Sequence, residues 1–181
     1  MKTYYRLSMY GVFAFLIAFG FFKFTLSKQI HKSQAEITKN LKADSILIEK
    51  QKRTLSLIYK GKILKTYPVA LGFSPNGHKE CEGDGKTPEG NYFISSKNPY
   101  STFYLSLKIS YPNPKDILNA KNKGCAPGGD IMIHGLGKKF AKVGKLHLLK
   151  DWTLGCIAVT NEEIEEIYKA TPVGTRVEIK S

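Results

Sequence analysis

Two side chains supply a base and a nucleophile: His134 in Ile133-His134-Gly135, and Cys156, twenty-two residues later, in Thr153-Leu154-Gly155-Cys156-Ile157. A thiol attacks a carbonyl carbon only as thiolate. A nearby imidazole takes the thiol proton near neutral pH and returns it to a leaving amine. The pair therefore points to cysteine acyl transfer. Gly155 lets the backbone bend close to a substrate, and the amides of Gly155 and Cys156 are expected to donate to an oxyanion. Loss of one such donor typically costs about 3 to 4 kcal/mol.

Other readings of these residues are weaker. A cysteine standing alone is more often a small buried hydrophobe than a catalyst, and it is the neighbouring glycine that sets Cys156 apart. His134 closes the apolar run Ile131-Met132-Ile133 and precedes Gly135-Leu136-Gly137, a position that presents an imidazole at a rim. His147, nine residues before Cys156, is the rival base, but its place among Leu146, Leu148 and Leu149 reads as structural. A zinc site built from His134, His147 and Cys156 would lack both Cys-x-x-Cys and His-x-x-x-His spacing and a fourth ligand, so no metal is expected. Near the cysteine, Glu162 and Glu163 are accounted for by the start of a helix, where the dipole favours acids.

The elements that must hold this pair read as mainly β with a few helices. Alternation gives antiparallel strands over residues 46–48, 55–59 and 63–70, with a Lys60-Gly61 turn. Residues 72–90 form a long Gly- and Pro-rich loop ahead of a strand at 91–94. Further strands are expected at 103–109, 131–134, 156–160 and 176–179, and a short helix at 116–122. Thr160 with Glu163 three residues on makes a capping box for a helix running to about Ala170, with Ile164 and Ile167 buried.

The chain has 181 residues, enough for one domain and an appendage, and a net charge of +13. Eleven Lys or Arg against three Asp or Glu fall in residues 23–65, just after the apolar N-terminus, which favours an anionic membrane or wall surface. No groove-reading motif or stacking platform supports nucleic acid as a partner. Leu7 to Phe22 is a sixteen-residue uncharged run between Arg6 and Lys23. As a helix it spans about 24 Å, and with Lys23 snorkelling it serves as a single-pass anchor. Cleavage as a signal peptide after Thr25-Leu26-Ser27 is the alternative. The expected organisation is an anchor or signal segment over 1–27, a polar juxtamembrane spacer over 28–43 and a catalytic domain over 44–181. Cys81 and Cys125 flank glycine-rich loops. Either they bridge in an oxidising compartment, worth about 4 kcal/mol on the chain-entropy model, or both stay free; the sequence leaves both open.

Ile131 to Gly135 and Asp151 to Glu163, with Gly83-Asp84-Gly85-Lys86-Thr87-Pro88-Glu89-Gly90-Asn91-Tyr92 and Pro127-Gly128-Gly129-Asp130 upstream, resemble the catalytic region of the L,D-transpeptidase (YkuD-type) family over about residues 45–180. The resemblance implies a β-sandwich-like domain outside the cytoplasmic membrane, in bacterial cell-wall metabolism, with no metal or organic cofactor. In that family the cysteine attacks the diaminopimelate carbonyl of a peptidoglycan tetrapeptide stem, expels D-alanine and passes the acyl group to an amine. By position, Cys156 is the nucleophile and His134 the proton donor and acceptor, with Gly155, Thr153 and Gly135 as supporting motif positions. Leu154 and Ala158 depart from polar residues common in the family. The acceptor stays open: another stem peptide, a lysine of a lipoprotein or other protein, or water, the last making an L,D-carboxypeptidase or a hydrolase that detaches wall-linked protein. A reading of another class is a non-catalytic, membrane-tethered wall-binding module.

Overall fold

The computed structural model describes residues 42–181. The expected anchor, and all of the expected spacer but Lys42 and Ala43, lie outside the described residues. Among the described residues no helix is long and apolar enough to cross a membrane.

Strands β1 (Ser45–Glu49), β2 (Thr54–Tyr59) and β3 (Lys62–Pro68) form the expected antiparallel meander. The other neighbour of β1 is β8 (Arg176–Lys180), paired in parallel. Ile46 and Ile48 on β1 alternate inward with Val177 and Ile179 on β8. β4 (Gly90–Ser101) extends well past the expected end at Ile94. Its outer half, Ser95 to Ser101, is polar apart from Pro99 and Tyr100 and largely exposed, so no apolar alternation marks it as strand. Residues Gly90–Phe93 pair with β8. From Ile94 onward β4 pairs instead with β5 (Tyr104–Ile109), with register shifts between Ile94 and Ser96 and between Asn98 and Ser101. β6 (Met132–His134) and β7 (Ile157–Ala158) complete the order β3-β2-β1-β8-β4-β5-β6-β7. A bulge that bends a strand and increases its twist is the means by which one sheet curls over on itself. The expected sandwich is thus one curled eight-stranded sheet with β4 as the shared strand.

The two edges of this sheet meet. After β3 the chain crosses to β7, where Ala70 and Ala158 exchange hydrogen bonds of 3.0 and 2.9 Å and Gly72 bridges Thr153. The core fills the curl: Leu55, Leu71, Ile94, Leu107, Ile109, Ile133 and Ile157 are fully buried. Helix α1 (Pro114–Asn122) starts on an Asn113–Asp116 capping box, two residues before its expected start. Helix α2 (Gly137–Phe140) runs into a 3-10 segment, Ala141–Leu149, both absent from the sequence reading. Helix α3 (Asn161–Ala170) carries the expected Thr160–Glu163 capping box and buries Ile164 and Ile167. The strand expected at 156–160 shortens to Ile157–Ala158, because Thr160 is already the cap of α3 and Cys156 stands just before the ladder.

Candidate active site

β6 and β7 run parallel, with Ile133 opposite Ile157 and His134 opposite Ala158. Side chains alternate across a strand, so while Ile133 and Ile157 enter the core, His134, Ala158 and the residue preceding Ile157 share the other face. That residue is Cys156. It sits diagonally across from His134, a relation of roughly 7 to 8 Å between Cα atoms that aromatic side chains span. The Cys156 Sγ lies 3.5 Å from the Asp130 carbonyl oxygen, at the entry to β6.

His134 is 1% exposed. Its Nδ1 lies 2.7 Å from the Gly135 carbonyl oxygen. Since a carbonyl only accepts, Nδ1 carries the proton in the neutral ring and Nε2 keeps its lone pair. The ring is fixed by Phe103 at 4.2 Å and by the edge of Trp152 at 6.0 Å between centroids. Burial pulls the His134 pKa down, more than the Gly135 carbonyl raises it. Burial likewise pushes the Cys156 thiol up, against the Met132 amide, which stabilises the thiolate. The resting pair is therefore a neutral imidazole and a neutral thiol.

Thr153 braces the turn that carries the cysteine. Its buried hydroxyl donates to the Cys156 carbonyl at 2.8 Å and accepts from the Gly155 amide at 3.1 Å. This revises one expectation. The Gly155 amide is engaged by Thr153 and is not free for an oxyanion, whereas the Cys156 amide has no acceptor among the described residues. Gly155 serves instead through its φ of +130° and close packing: a Cβ there would meet the Lys86 carbonyl oxygen at 2.6 Å. Gly135 is required by packing alone. Its Cβ would lie 2.7 Å from Asn161 Oδ1 and 2.9 Å from both Ile164 and the Phe103 carbonyl oxygen.

The supporting layer went largely unassigned in the sequence. Asp151 accepts from the Leu71 amide at 2.8 Å and pairs with Arg53 at 2.9 Å, tying the cysteine turn to the far side of the sheet. Asn161 accepts from the Leu136 amide, holding the segment after His134 to α3. Asp84 organises the long loop. Burial pushes its pKa up, but Lys79 and the amides of Glu80, Lys86 and Cys81 outweigh that and hold it at about 2. Cys81 and Cys125 form a disulfide with Cα atoms 5.8 Å apart, settling the pairing the sequence left open. His147 is buried on the 3-10 segment, on a cavity shared with Trp152. Among the described residues no three His, Cys, Asp or Glu side chains group to hold a metal ion.

Comparison with known proteins identifies the family of the domain. The profile of the YkuD family, the L,D-transpeptidase catalytic domain, matches residues 43–179. YqjB of Bacillus subtilis strain 168 is 31% identical over 137 residues, covering 73% of this chain and 68% of that one. YafK of Escherichia coli K12 is 30% identical over 130 residues, covering 68% of this chain and 45% of its own. Both carry provisional L,D-transpeptidase names. The helical cell shape determining protein Pgp2 of Campylobacter jejuni superimposes with a TM-score of 0.56 at 28% identity, over 75% of this chain and 46% of Pgp2. The chain thus spans about half the length of YafK and of Pgp2. It belongs to the L,D-transpeptidase (YkuD) catalytic-domain family.

Proposed function

We propose that the chain is a cysteine acyltransferase of the bacterial cell wall, with Cys156 as nucleophile and His134 as the group that carries the proton. The observation that carries this reading is the placement of Cys156 immediately ahead of β7, beside the strand that ends in His134, with His134 Nδ1 tied to the Gly135 carbonyl. Nε2 is left as the base. As Cys156 Sγ attacks the diaminopimelate carbonyl of a tetrapeptide stem, Nε2 takes the thiol proton and the Cys156 amide faces the developing oxyanion. Collapse of the tetrahedral intermediate breaks the amide bond. His134 returns the proton to the departing D-alanine amine, leaving a thioester. An acceptor amine then attacks the thioester, giving its proton to His134, and the thiol is restored. Neutral resting groups suit this cycle, because the proton moves only as the new bond forms.

An amine acceptor makes a cross-link or an attached protein. The similarity to Pgp2, named for helical cell shape, supports a role in remodelling the wall. The apolar N-terminal run, Leu7 to Phe22, supports a single-pass anchor with the catalytic domain outside the cytoplasm. The test is mass spectrometry of intact protein incubated with a tetrapeptide stem. The expected result is a thioester adduct and free D-alanine with the native chain and neither with Cys156→Ala. No adduct on folded protein with a titratable thiol would refute the reading, and the products would distinguish amine from water as acceptor.

A further inference from the structure

Between Gly137 and Lys150 lie five lysines and no acidic residue; none occurs from Ile131 to Lys150. Lys138, Lys139, Lys142, Lys145 and Lys150 are all exposed. Interleaved with them are large apolar side chains that a soluble surface has no reason to display: Phe140 is 55% exposed, Leu146 66% and Leu149 83%, with Val143 beside them. These apolar groups are not scattered. They wall a single cavity of about 460 Å³ whose floor holds His147 and Trp152. Both ring nitrogens of His147 and the Nε1 of Trp152 are buried without a hydrogen-bond partner among the described residues.

We infer that this face of the catalytic domain docks on an anionic lipid bilayer. Lysines among exposed apolar side chains are the composition of an interfacial segment, whose apolar side sinks to the boundary of headgroups and acyl chains while the cations remain at the phosphates. A phosphate-bearing wall polymer would satisfy the lysines and leave Phe140, Leu146 and Leu149 in water. The lipid surface satisfies both sets. Trp152, with its Nε1 buried, lines the same cavity as Phe140, Leu146 and Leu149, so apolar chains that fill the cavity meet its ring. Trp152 also touches the His134 ring edge-on, so docking sets the candidate active site at the membrane surface. The inference is independent of which acceptor the proposed reaction uses.

Trp152 is the one tryptophan in the chain, so it reports on this face without a label. The full chain is reconstituted with vesicles of phosphatidylglycerol and phosphatidylcholine, or of phosphatidylcholine alone, containing lipid brominated near the ester end of its acyl chains. The apolar N-terminal run can bring the chain to vesicles of either composition, so sedimentation alone decides nothing; quenching of Trp152 does. Insertion of ~5 to 10 Å brings Trp152 to the bromines, and its emission should fall about twofold on anionic vesicles and little on neutral ones. The triple variant Phe140→Ser, Leu146→Ser, Leu149→Ser, checked for an unchanged melting temperature, should lose the quenching while still sedimenting. Replacing Lys138, Lys139, Lys142 and Lys145 by Gln should abolish it at 0.15 M salt, since each lysine is worth about fivefold in partitioning. Vesicle-bound protein with unquenched Trp152, or quenching that survives the serine variant, would overturn the inference. So would binding to soluble polyphosphate that the serine substitutions leave unchanged, accompanied by no quenching.

Discussion

Replacing Thr153 by valine tests whether the turn beneath Cys156 positions the proposed nucleophile. Valine keeps the shape and removes the hydroxyl, which holds two bonds, 3.1 Å from the Gly155 amide and 2.8 Å to the Cys156 carbonyl. The Gly155 amide is buried, so losing its acceptor costs about 1 to 3 kcal/mol, and the carbonyl adds about 1. A total of about 2 to 4 kcal/mol corresponds to a fall in Tm on the order of 6 to 14 °C for a domain of this size. The catalytic effect is separate. With the turn unbraced, the thiol moves relative to His134, and displacement of reacting groups by about 1 Å costs on the order of 100-fold in kcat. Differential scanning calorimetry and release of D-alanine from a tetrapeptide, measured on the native chain, Thr153→Val and Thr153→Ser, separate the two. Serine restores the hydroxyl and should recover most of both losses. If Thr153→Val melts lower yet turns over at the native rate, Thr153 stabilises the fold without positioning the cysteine. If serine fails to rescue, the hydroxyl is not the operative group.

Gly135→Ala should lower stability by about 1 to 3 kcal/mol through overpacking against Asn161, Ile164 and the Phe103 carbonyl, read as a fall in denaturation midpoint with unchanged m-value. Alkylation of Cys156 by iodoacetamide in the free protein should rise with pH into the alkaline range. Burial favours the thiol, so the reactive thiolate accumulates only above the ordinary cysteine value; a plateau already reached at pH 7 would contradict a neutral resting pair. The depressed pKa of Asp84, about 2, lies below its ordinary unfolded value, so its contribution to stability is present above about pH 4 and is lost as pH falls towards 2. Asp84→Asn should flatten the acid limb of Tm against pH. Reduction of Cys81–Cys125, which closes a loop of 44 residues, should cost about 4 kcal/mol in the entropic limit, measured by urea unfolding with and without dithiothreitol.

The candidate pair was legible because its chemistry depends on residue type and local context: a His-Gly at the end of an apolar run, and a cysteine beside glycine ahead of a capping box. Helix α3 was equally plain, since Thr160, Glu163, Ile164 and Ile167 state its start and its buried face within eight residues. What escaped depends on contacts between residues distant in sequence. The outer half of β4 carries little alternation, so only its pairing with β5 reveals it. Asp151 looks like any surface acid until Arg53 and the Leu71 amide are brought to it. Gly155 was recognised as a place for close approach, but its amide was assigned to the oxyanion because the Thr153 hydroxyl that engages it cannot be located from spacing alone. Residues 137–149 lack a regular apolar period, and their short helix and 3-10 turns follow from docking beside β5 and Trp152 instead of from local propensity.

The closure of the sheet where Ala70 meets Ala158 bears on how the protein folds. The bonds across that join link residues some eighty positions apart, the Asp151 side chain to the Leu71 amide among them. Contacts of such separation bear a large loop-closure entropy and slow a folding reaction in proportion to their share of the total. The turn bearing Cys156 is braced within itself by the Thr153 hydroxyl, but it is tied to the sheet by this long-range set, through the Asp151 side chain and the backbones of Thr153 and Ala158. A partly folded chain, even with the β1–β2–β3 meander in place, therefore has a cysteine whose turn is not yet tied to the sheet. Assembly of the thiol site becomes a readout of completed topology.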